Sequence, residues 1–474
     1  MSNESARLQS GYFELSINDF SGGYVDKIDD PLLPENTAQN VQNFVGTKIG
    51  SMKKRSGQKR LNAALLPGVI QGLYPYYGNN SRQIITVAGG KGYLWDALSE
   101  AFTAIKTGIG NTAPTLFETC VNYMVAANGI NPPWKWDGTT ASTLDNAPAD
   151  GQFPTLYKEK LFLVPKSDPS TLLWSKSFYP EDWTDLNNYM HVNKGDGDKI
   201  TALRTFLDEL VIFKRHSIHV LHGSNLDTFR MVNTETKIGA TGPLAVTRFQ
   251  NSLFFVNNDG IYTWNGMSAV NISRERIPEF WEQINQEHLD KAVATTRNGM
   301  VWFSLPEGTS SYNNIILVYV PIGEGGKWWI YRGINASCFT EFNTGNEILL
   351  YSGDSYEGYV NQQDVGTDDF GNSIDAHWVG KTFDCGLPDR KKKFKKAFIR
   401  DYPGSGGNVN LQVALNYGTY TDLVFECKDA LVRRYRFPIG TYARYLTPKI
   451  SHTTKENIEV RGINFLFKPK SKPR

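Results

Sequence analysis

The sequence predicts an all-β protein: a β-propeller of six or seven blades with an N-terminal arm and a C-terminal β-sandwich-like domain. Three observations support this fold class. A hairpin-like segment recurs along the middle of the chain, and clean two-residue alternation appears near its end. In addition, 13% of the 474 residues are aromatic and 43 are glycine, a composition typical of packed chains with short strands and tight turns.

The recurring hairpin is clearest in three segments. Each runs from a β-branched strand through a Gly/Asn turn into an aromatic strand that ends in Trp-Asp or Trp-Asn. They are residues 87–96, 125–138 and 256–266, and looser copies start at 164, 213, 301 and 350. The starts lie about 38 to 49 residues apart, the period of four-stranded propeller blades. Residues 68–367 therefore hold seven blades, or six if the two ends share one.

Residues 1–67 are not repetitive and predict an arm that packs on the propeller or reaches a neighbouring subunit. The Asp30-Pro31 step favours extended chain, because a residue before proline avoids the helical region. A short helix is expected from Pro34 to about Val41. The chain starts without an apolar stretch, so no secretory signal is visible and we expect assembly in a host cytoplasm.

A single helical interruption is expected in the repeat, at residues 274–291. Ile277, Phe280, Trp281 and Ile284 lie close to helical spacing in this charged segment. A helix between blades is an insertion on one face of a propeller, and such faces often bind partners.

Residues 368–474 predict a separate basic β-domain after a Gly/Asp-rich linker at 364–372. Residues 410–416 and 458–467 alternate between apolar and polar, as half-buried antiparallel strands do. From residue 375 onward there are 20 Lys/Arg and 9 Asp/Glu, or +11, so the first 374 residues carry −9 of the overall +2. This asymmetry indicates two surfaces with different partners.

The densest charge run in the basic domain is the candidate contact site. We consider three interpretations of it: contact with nucleic acid phosphates, docking to an acidic protein surface, and a lysine-protected edge strand that only prevents aggregation. Its residues are Arg390, Lys391, Lys392, Lys393, Lys395 and Lys396, followed by Arg400.

The sequence predicts no catalytic residues, metal or cofactor. The four cysteines are scattered without a CxxC pair, and His216, His219 and His222 lack the spacing of a metal site on a strand or a helix. The repeated Asp-box of sialidases and the end of a phosphate-binding loop are also missing. No apolar run reaches the roughly 18 residues of a membrane span. Trp134, Trp136, Trp328 and Trp329 suit stacking on sugars or bases, but blade packing is the favoured interpretation.

Two regions resemble a known family. The start, with Asp19-Phe-Ser-Gly-Gly-Tyr24, Asp30-Pro31, Pro34-Glu-Asn-Thr-Ala-Gln-Asn40 and Arg55-Ser-Gly57, resembles the entry segment of phage tail structural proteins that precedes a propeller. The end, from Arg390 through Val460-Arg-Gly-Ile-Asn-Phe-Leu-Phe467, is similar to the last domain of the tail nozzle, or packaged-DNA stabilisation, proteins of short-tailed bacteriophages. The short motifs also fit related tail tubular or stopper proteins.

The resemblance implies a structural role in the virion tail. Such proteins form rings, usually of six copies, that hold packaged DNA and let it pass during ejection. Their implied partners are the head-to-tail adaptor, other tail proteins, tail fibres or spike, and double-stranded DNA in transit. An acidic lumen that repels DNA and a basic domain that grips a neighbouring protein fit this role. The competing hypotheses are a receptor- or glycan-binding propeller of a virion and a propeller glycosidase.

Overall fold

The computed structural model describes residues 11–78, 81–234, 237–323, 325–402, 405–429 and 431–470. Nearly all regular structure in these ranges is β-strand, which confirms the all-β prediction. The first residues, on which the expected lack of a secretory signal rests, lie outside them. None of the helices in the described ranges has the length and apolar character needed to cross a membrane.

Six short strands precede the first blade. The expected helix from Pro34 is wrong: a single 3-10 turn at Asp30–Leu32 is followed by extended chain, because Ala38 and Val41 are buried by pairing with a C-terminal strand. The six strands are β1 (Phe13–Ile17), β2 (Gly23–Tyr24), β3 (Thr37–Gln42), β4 (Phe44–Lys48), β5 (Ser51–Lys54) and β6 (Gln58–Arg60).

Six consecutive four-stranded antiparallel sheets then form blades 1 to 6. The first strands of adjacent blades pack on one another, so they are innermost and the fourth strands are outermost. Blades 1 to 3 are β7 (Ile70–Gly78), β8 (Ser81–Ala88), β9 (Lys91–Asp96) and β10 (Ala101–Thr107); β11 (Leu116–Cys120), β12 (Tyr123–Ala127), β13 (Trp134–Trp136) and β14 (Ala141–Thr143); β15 (Gly151–Tyr157), β16 (Lys160–Pro165), β17 (Thr171–Trp174) and β18 (Tyr189–His191). Blades 4 to 6 are β19 (Ile200–Phe206), β20 (Glu209–Lys214), β21 (Ile218–His222) and β22 (Arg230–Asn233); β23 (Val246–Phe249), β24 (Ser252–Asn257), β25 (Gly260–Trp264) and β26 (Ala269–Asn271); β27 (Val293–Arg297), β28 (Met300–Leu305), β29 (Ile315–Val320) and β30 (Lys327–Arg332).

Blade 7 is closed by the N-terminal segment, so the propeller has seven blades. Its own strands are β31 (Ala336–Asn343), β32 (Ile348–Asp354) and β33 (Val360–Gln363). The fourth position is filled by β6, which pairs antiparallel with β33, and β34 (Asp368–Asp369) and β35 (Asn372–Ser373) extend the sheet outward. Blade 7 thus pairs the strand before the first blade with the last strands of the repeat, which holds the ring of blades closed.

The expected helical insertion at 274–291 is wrong in extent. Only one turn, α1 (Pro278–Trp281), is α-helical, and a 3-10 segment follows at Gln286–Lys291. Ile277, Phe280 and Trp281 are buried against the cores of blades 5 and 6. The apolar spacing that suggested a surface helix therefore belongs to a packed connection.

The recurring Trp-Asx step has a structural basis. Trp136 and Trp264 are buried in blade cores, and the residue that follows each of them makes the turn into the fourth strand. Asp137 Oδ1 accepts hydrogen bonds from the N–H groups of Thr139 and Thr140 at 2.8 and 2.7 Å. An acceptor in this position mimics a backbone turn, which is why Asp and Asn recur there. Trp134, Trp328 and Trp329 are likewise buried, as blade packing requires.

Two sheets form a β-sandwich after the propeller. The first has the order β4-β5-β44-β37-β41-β40, with β1 paired to β44 and β42 to β37; the second has the order β2-β3-β36-β43-β38-β39. The strands that follow the propeller are β36 (Ala376–Gly380), β37 (Lys392–Asp401), β38 (Val409–Leu415), β39 (Tyr420–Asp422), β40 (Val424–Lys428), β41 (Val432–Arg436), β42 (Tyr442–Ala443), β43 (Leu446–His452) and β44 (Glu459–Pro469).

The N-terminal segment therefore supplies strands to both sandwich sheets and to blade 7. The division into 1–67, 68–367 and 368–474 stays a prediction. The segment also contacts blades 6 and 7. Asn43 N–H donates to Ile330 O of blade 6 at 2.8 Å. Arg55 donates to the carbonyl of Arg332 in blade 6 at 2.9 Å and to Asp369 Oδ1 in blade 7 at 3.0 Å.

Candidate functional site

The basic run at 390–400 lies in the interior of a sheet. Most of it forms β37, which pairs with β44 on one side and with β41 on the other. The interpretation of this run as a protected edge strand is therefore wrong, because β37 has no free edge along these pairs. The two remaining interpretations both need a partner outside the chain.

Alternation along β37 divides the lysines into two sets. Lys392 points inward and is fully buried, where its ammonium donates to the carbonyls of Asp384 and Arg444. Burial lowers the pKa of Lys392. Lys393 and Lys395 are exposed, as is Lys391 just before the strand. Lys392 is thus a structural residue and not accessible to a partner.

The remaining predicted residues are placed less uniformly. Arg390 is half-buried, and Lys396 is half-buried with its ammonium 3.3 Å from Glu426 Oε2. Arg400 is exposed and donates to the side-chain oxygen of Asn18 in the N-terminal segment. The run is therefore one part of a larger surface.

We call this surface the basic face: the outward side of the first sandwich sheet around β37. Like charges lie directly opposite one another across its strands, because Lys393 pairs with Lys468 and Lys396 pairs with Arg436. Directly opposed like charges destabilise a sheet. Its exposed or half-exposed cations are Lys48, Lys53, Lys393, Lys395, Lys396, Arg400, Arg434, Arg436, Arg461 and Lys468.

Aromatic rings hold several of these cations in place. The Lys395 ammonium lies 4.9 Å from the ring centroid of Tyr12, and the Arg461 guanidinium lies 4.2 Å from that of Tyr402. A cation over a ring face is attracted by the ring quadrupole and keeps its charge. The basic face is thus ordered while remaining able to attract anions.

Three carboxylates form ion pairs with these cations. Glu426 lies 3.3 Å from Lys396 and 3.9 Å from Arg436, Glu459 lies 3.4 Å from Lys48, and Asp429 lies 3.4 Å from Arg434. Lys393, Lys395 and Lys468 form no ion pair with an acidic residue anywhere in the described ranges. The arrangement suits contact with a complementary acidic surface.

Sequence reasoning found only the middle strand of this face. Lys48 and Lys53 come from the N-terminal segment, and Lys468 comes from the last strand. The alternation Arg434-Tyr-Arg436 was a usable local signal, since every second residue of a strand shares a face. The N-terminal contribution had no local signal, because it depends on the pairing of β5 with β44.

The histidines and thiols do not converge. His219 is buried and shares a hydrogen bond with Ser217, whereas His222 lies 3.0 Å from Glu209 on the other side of the strand. Within the described ranges, no group of three His, Cys, Asp or Glu side chains is placed to hold a metal ion. Cys120, Cys338 and Cys385 are buried, whereas Cys427 is exposed. For the buried Cys338, loss of hydration raises the pKa to about 11.

Comparisons with solved structures return matches of low sequence identity. The chain is similar to the computationally designed Ika8 protein at 12% identity and TM-score 0.41, covering 65% of this chain and 100% of that one. It is similar to BamB from Moraxella catarrhalis at 11% identity and TM-score 0.41, covering 68% and 96%. A chain of a mitotic checkpoint complex matches at 11% identity and TM-score 0.44, covering 66% and 93%.

The search of curated proteins gave no match. The family model described as "Bacteriophage P22 Gp10, beta-propeller" matches residues 23–312, which is more than half of the chain. The match begins at β2, covers blades 1 to 5 and ends in blade 6, between β28 and β29. The chain therefore belongs to this family of phage stabilisation proteins and is a structural protein of a phage, as the resemblance of its two ends predicted.

Proposed function

We propose that the protein forms a ring of six copies in the virion tail, at the nozzle or hub. The ring closes the DNA channel, retains the packaged genome and lets it leave during ejection. Its partners are the head-to-tail adaptor or other tail proteins, tail fibres or spike, and DNA in transit. Assembly takes place in the host cytoplasm. Family membership and the charge division between the propeller and the sandwich support this proposal.

The basic face is the observation that carries the docking part of the proposal. The opposed pair Lys393 and Lys468 destabilises the sheet, and binding of a polyanionic or acidic partner would remove that repulsion. The interspersed Glu426 and Glu459 repel the uniform negative charge of DNA phosphates, whereas a protein surface that is mainly acidic also carries some lysines and arginines, which these two carboxylates can accept. A mainly acidic face of a neighbouring tail protein is therefore the partner we assign, and the acidic excess of the propeller faces the channel.

Charge reversal on the exposed lysines tests the docking role. Lys393→Glu combined with Lys395→Glu should leave the monomer folded, since exposed charges contribute little to stability. Phage particles made with this variant should lose the protein, leak DNA or fail to eject it. The matched control is Lys91→Glu with Lys166→Glu, two exposed lysines of the propeller.

Lys468→Glu separates docking from stability. Replacing one of two opposed lysines by an acid creates a favourable cross-strand pair, so the melting temperature should stay equal or rise. Docking should nevertheless weaken, and more so at low salt. Particles that incorporate all these variants at the wild-type level and infect normally would exclude the docking role. Salt-dependent binding of double-stranded DNA by the purified chain, lost in the same variants, would assign the face to DNA instead.

A further inference from the structure

The propeller has one end, which we call the turn face, where the first and third turns of blades 1 to 6 lie. Each of these blades is a run of four consecutive antiparallel strands, so alternate connections lie at opposite ends and each blade starts at the same end. Contacts between turns agree with this placement. Lys158, in the first turn of blade 3, forms an ion pair with Asp208 in the first turn of blade 4. Phe178 N–H, in the third turn of blade 3, donates to Glu159 O at 2.8 Å.

Bulky apolar side chains are exposed on the turn face. Val121, Phe178 and Leu207 lie in turns of blades 2, 3 and 4 and are 56%, 63% and 56% exposed. All three have positive φ, at 55°, 64° and 51°. A positive φ is costly for a bulky residue, and most of all for a β-branched one such as Val121. Glycine or asparagine at these three positions would have less backbone strain. Exposed apolar residues in their place indicate an interaction surface.

An apolar cavity opens beside Val121 and Phe178. Its volume is about 310 Å³, and it lies between blades 2 and 3 on the turn face. Its lining includes Cys120, Val121, Leu156, Leu161 and Phe178. A cavity of this volume accommodates one large aliphatic or aromatic side chain.

The sandwich carries a second apolar surface at its free edge. The edge strands β4 and β2 pack against β30 of blade 6, whereas β40 and β39 at the opposite edges pair with a strand on one side only. Val424 and Phe425 on β40 are 47% and 53% exposed, and Ile439 in the turn after β41 is 95% exposed. Arg434 and Arg436 flank this edge on β41.

The two apolar surfaces lie at opposite ends of the molecule. In a disc of seven blades, the position opposite blade 6 falls between blades 2 and 3, where the cavity opens. The sandwich contacts blade 6 and directs its free edge away from it. Two unlike surfaces at the two ends of a protomer form the head-to-tail type of contact, which gives a ring when the rotation from one copy to the next closes.

Charge complementarity favours the same pairing. Residues 68–374 contain 22 Lys/Arg and 32 Asp/Glu, or −10, and residues 375–474 carry +11. A sandwich edge thus attracts the propeller of another copy and repels another sandwich edge. We propose that the free edge of the sandwich of one copy docks on the turn face of the next copy, with Ile439 or a neighbouring apolar side chain in the cavity. This inference rests on the ring of the proposed function.

The test uses the purified full chain and its assembly state measured by light scattering. Phe178→Asp and Ile439→Asp should each weaken self-association about thirtyfold or more, the effect of losing a hot-spot residue. Leu65→Asp is the matched control, because Leu65 is 58% exposed but lies in the connection before blade 1, at the other end of the propeller. Val121→Gly should weaken association while the melting temperature stays equal or rises, since glycine adopts positive φ without strain.

Mixing the two aspartate variants gives the sharpest result. A head-to-tail contact leaves each variant with one intact surface, so a mixture should form 1:1 dimers although each variant alone is monomeric. If both variants still form an assembly of the wild-type size, or if their mixture stays monomeric, this inference is overturned, but the proposed ring is not. A wild-type chain that stays monomeric at all concentrations would overturn the proposed ring as well.

Discussion

The propeller and the sandwich are built from the same kind of strand but by different rules. Blades 1 to 6 take their four strands from one continuous segment each, so their contacts are local in sequence. Both sandwich sheets combine strands from the start of the chain with strands from its end. Local order is visible as a repeat in the sequence, whereas long-range pairing is not. The same difference predicts which region tolerates cuts and substitutions.

Removal of the N-terminal segment should have the largest effect. A chain that starts at residue 68 lacks β6 for blade 7 and β1 to β5 for the sandwich, and it leaves Asp369 without Arg55. The C-terminal part of the sandwich depends on the same strands, so we expect the isolated fragment 375–474 to be unfolded by circular dichroism.

Cleavage of the full chain tests the same dependence with the N-terminal strands present. A cut between residues 364 and 372 should leave two pieces that stay together in size-exclusion chromatography. Separate, folded pieces after that cut would show that the sandwich is independent of the N-terminal strands.

A buried ion pair should matter more in the sandwich than in the propeller. Arg433 Nε lies 2.6 Å from Asp401 Oδ2, both side chains are almost fully buried, and the guanidinium also donates to the carbonyls of Gly406 and Gly407. Arg433→Met leaves a buried carboxylate with the Lys428 ammonium 3.8 Å away, and should cost about 3 kcal/mol of unfolding free energy. In blade 4, Lys214 donates to Asp196, which remains 32% exposed. Lys214→Met should therefore cost only about 2 kcal/mol, because water solvates the remaining acid.

Denaturant unfolding of both variants measures the two values. Arg433→Lys is the control, because it retains the charge and loses the bonds to the glycine carbonyls. Equal losses for the two methionine variants would remove this difference between the regions.

The sandwich should also respond to mild acid. His452 is fully buried, and burial together with the nearby Lys54 lowers the pKa of its imidazole from 6.5 to about 4. The unfolded chain then binds a proton that the folded chain does not, so stability falls as pH drops from about 6.5 toward 4. The loss amounts to about 3 kcal/mol at most. Thermal unfolding between pH 7 and 4 measures it, and His452→Gln should flatten the dependence; an unchanged slope in that variant would assign the acid sensitivity to other groups.

The propeller was predictable because its causes are local. The Trp-Asx step places a buried indole beside a turn acceptor, and both can be read at Trp136 and Asp137. The prediction of a helix at 274–291 was wrong. Ile277, Phe280 and Trp281 are spaced nearly as on a helix, but they pack in a short turn between two blades. Periodicity alone does not separate those cases.

The candidate site was only partly predictable for the same reason. Composition located the lysines of β37, and alternation explains why Lys392 is buried while Lys393 is exposed. The pairing of Lys393 with Lys468 requires knowing that the last strand of the chain lies beside β37. The pairing of β6 in blade 7 was not predictable either, because Gln58–Arg60 carries no sign of the repeat in its sequence.

The smallest predicted effect compares one turn from each region. Asp137→Ala removes three turn hydrogen bonds from blade 2, donated by Thr139 N–H, the Thr139 hydroxyl and Thr140 N–H. Asp429→Ala removes the bonds from Leu431 and Val432 N–H at 3.1 and 2.8 Å and the exposed contact with Arg434. Each should cost about 1 kcal/mol. The two variants should differ in where amide hydrogen exchange becomes faster. In Asp137→Ala the faster exchange should be confined to blade 2 and its neighbours, because repeated units contact mainly the adjacent ones. For Asp429→Ala it should reach the N-terminal strands, since β41 is linked through β37 and β44 to β1 and β5. Replacement of either aspartate by Asn keeps the hydrogen-bond acceptor and should leave exchange unchanged. If faster exchange extends equally far from the turn in the two alanine variants, the contrast between local and long-range construction is contradicted.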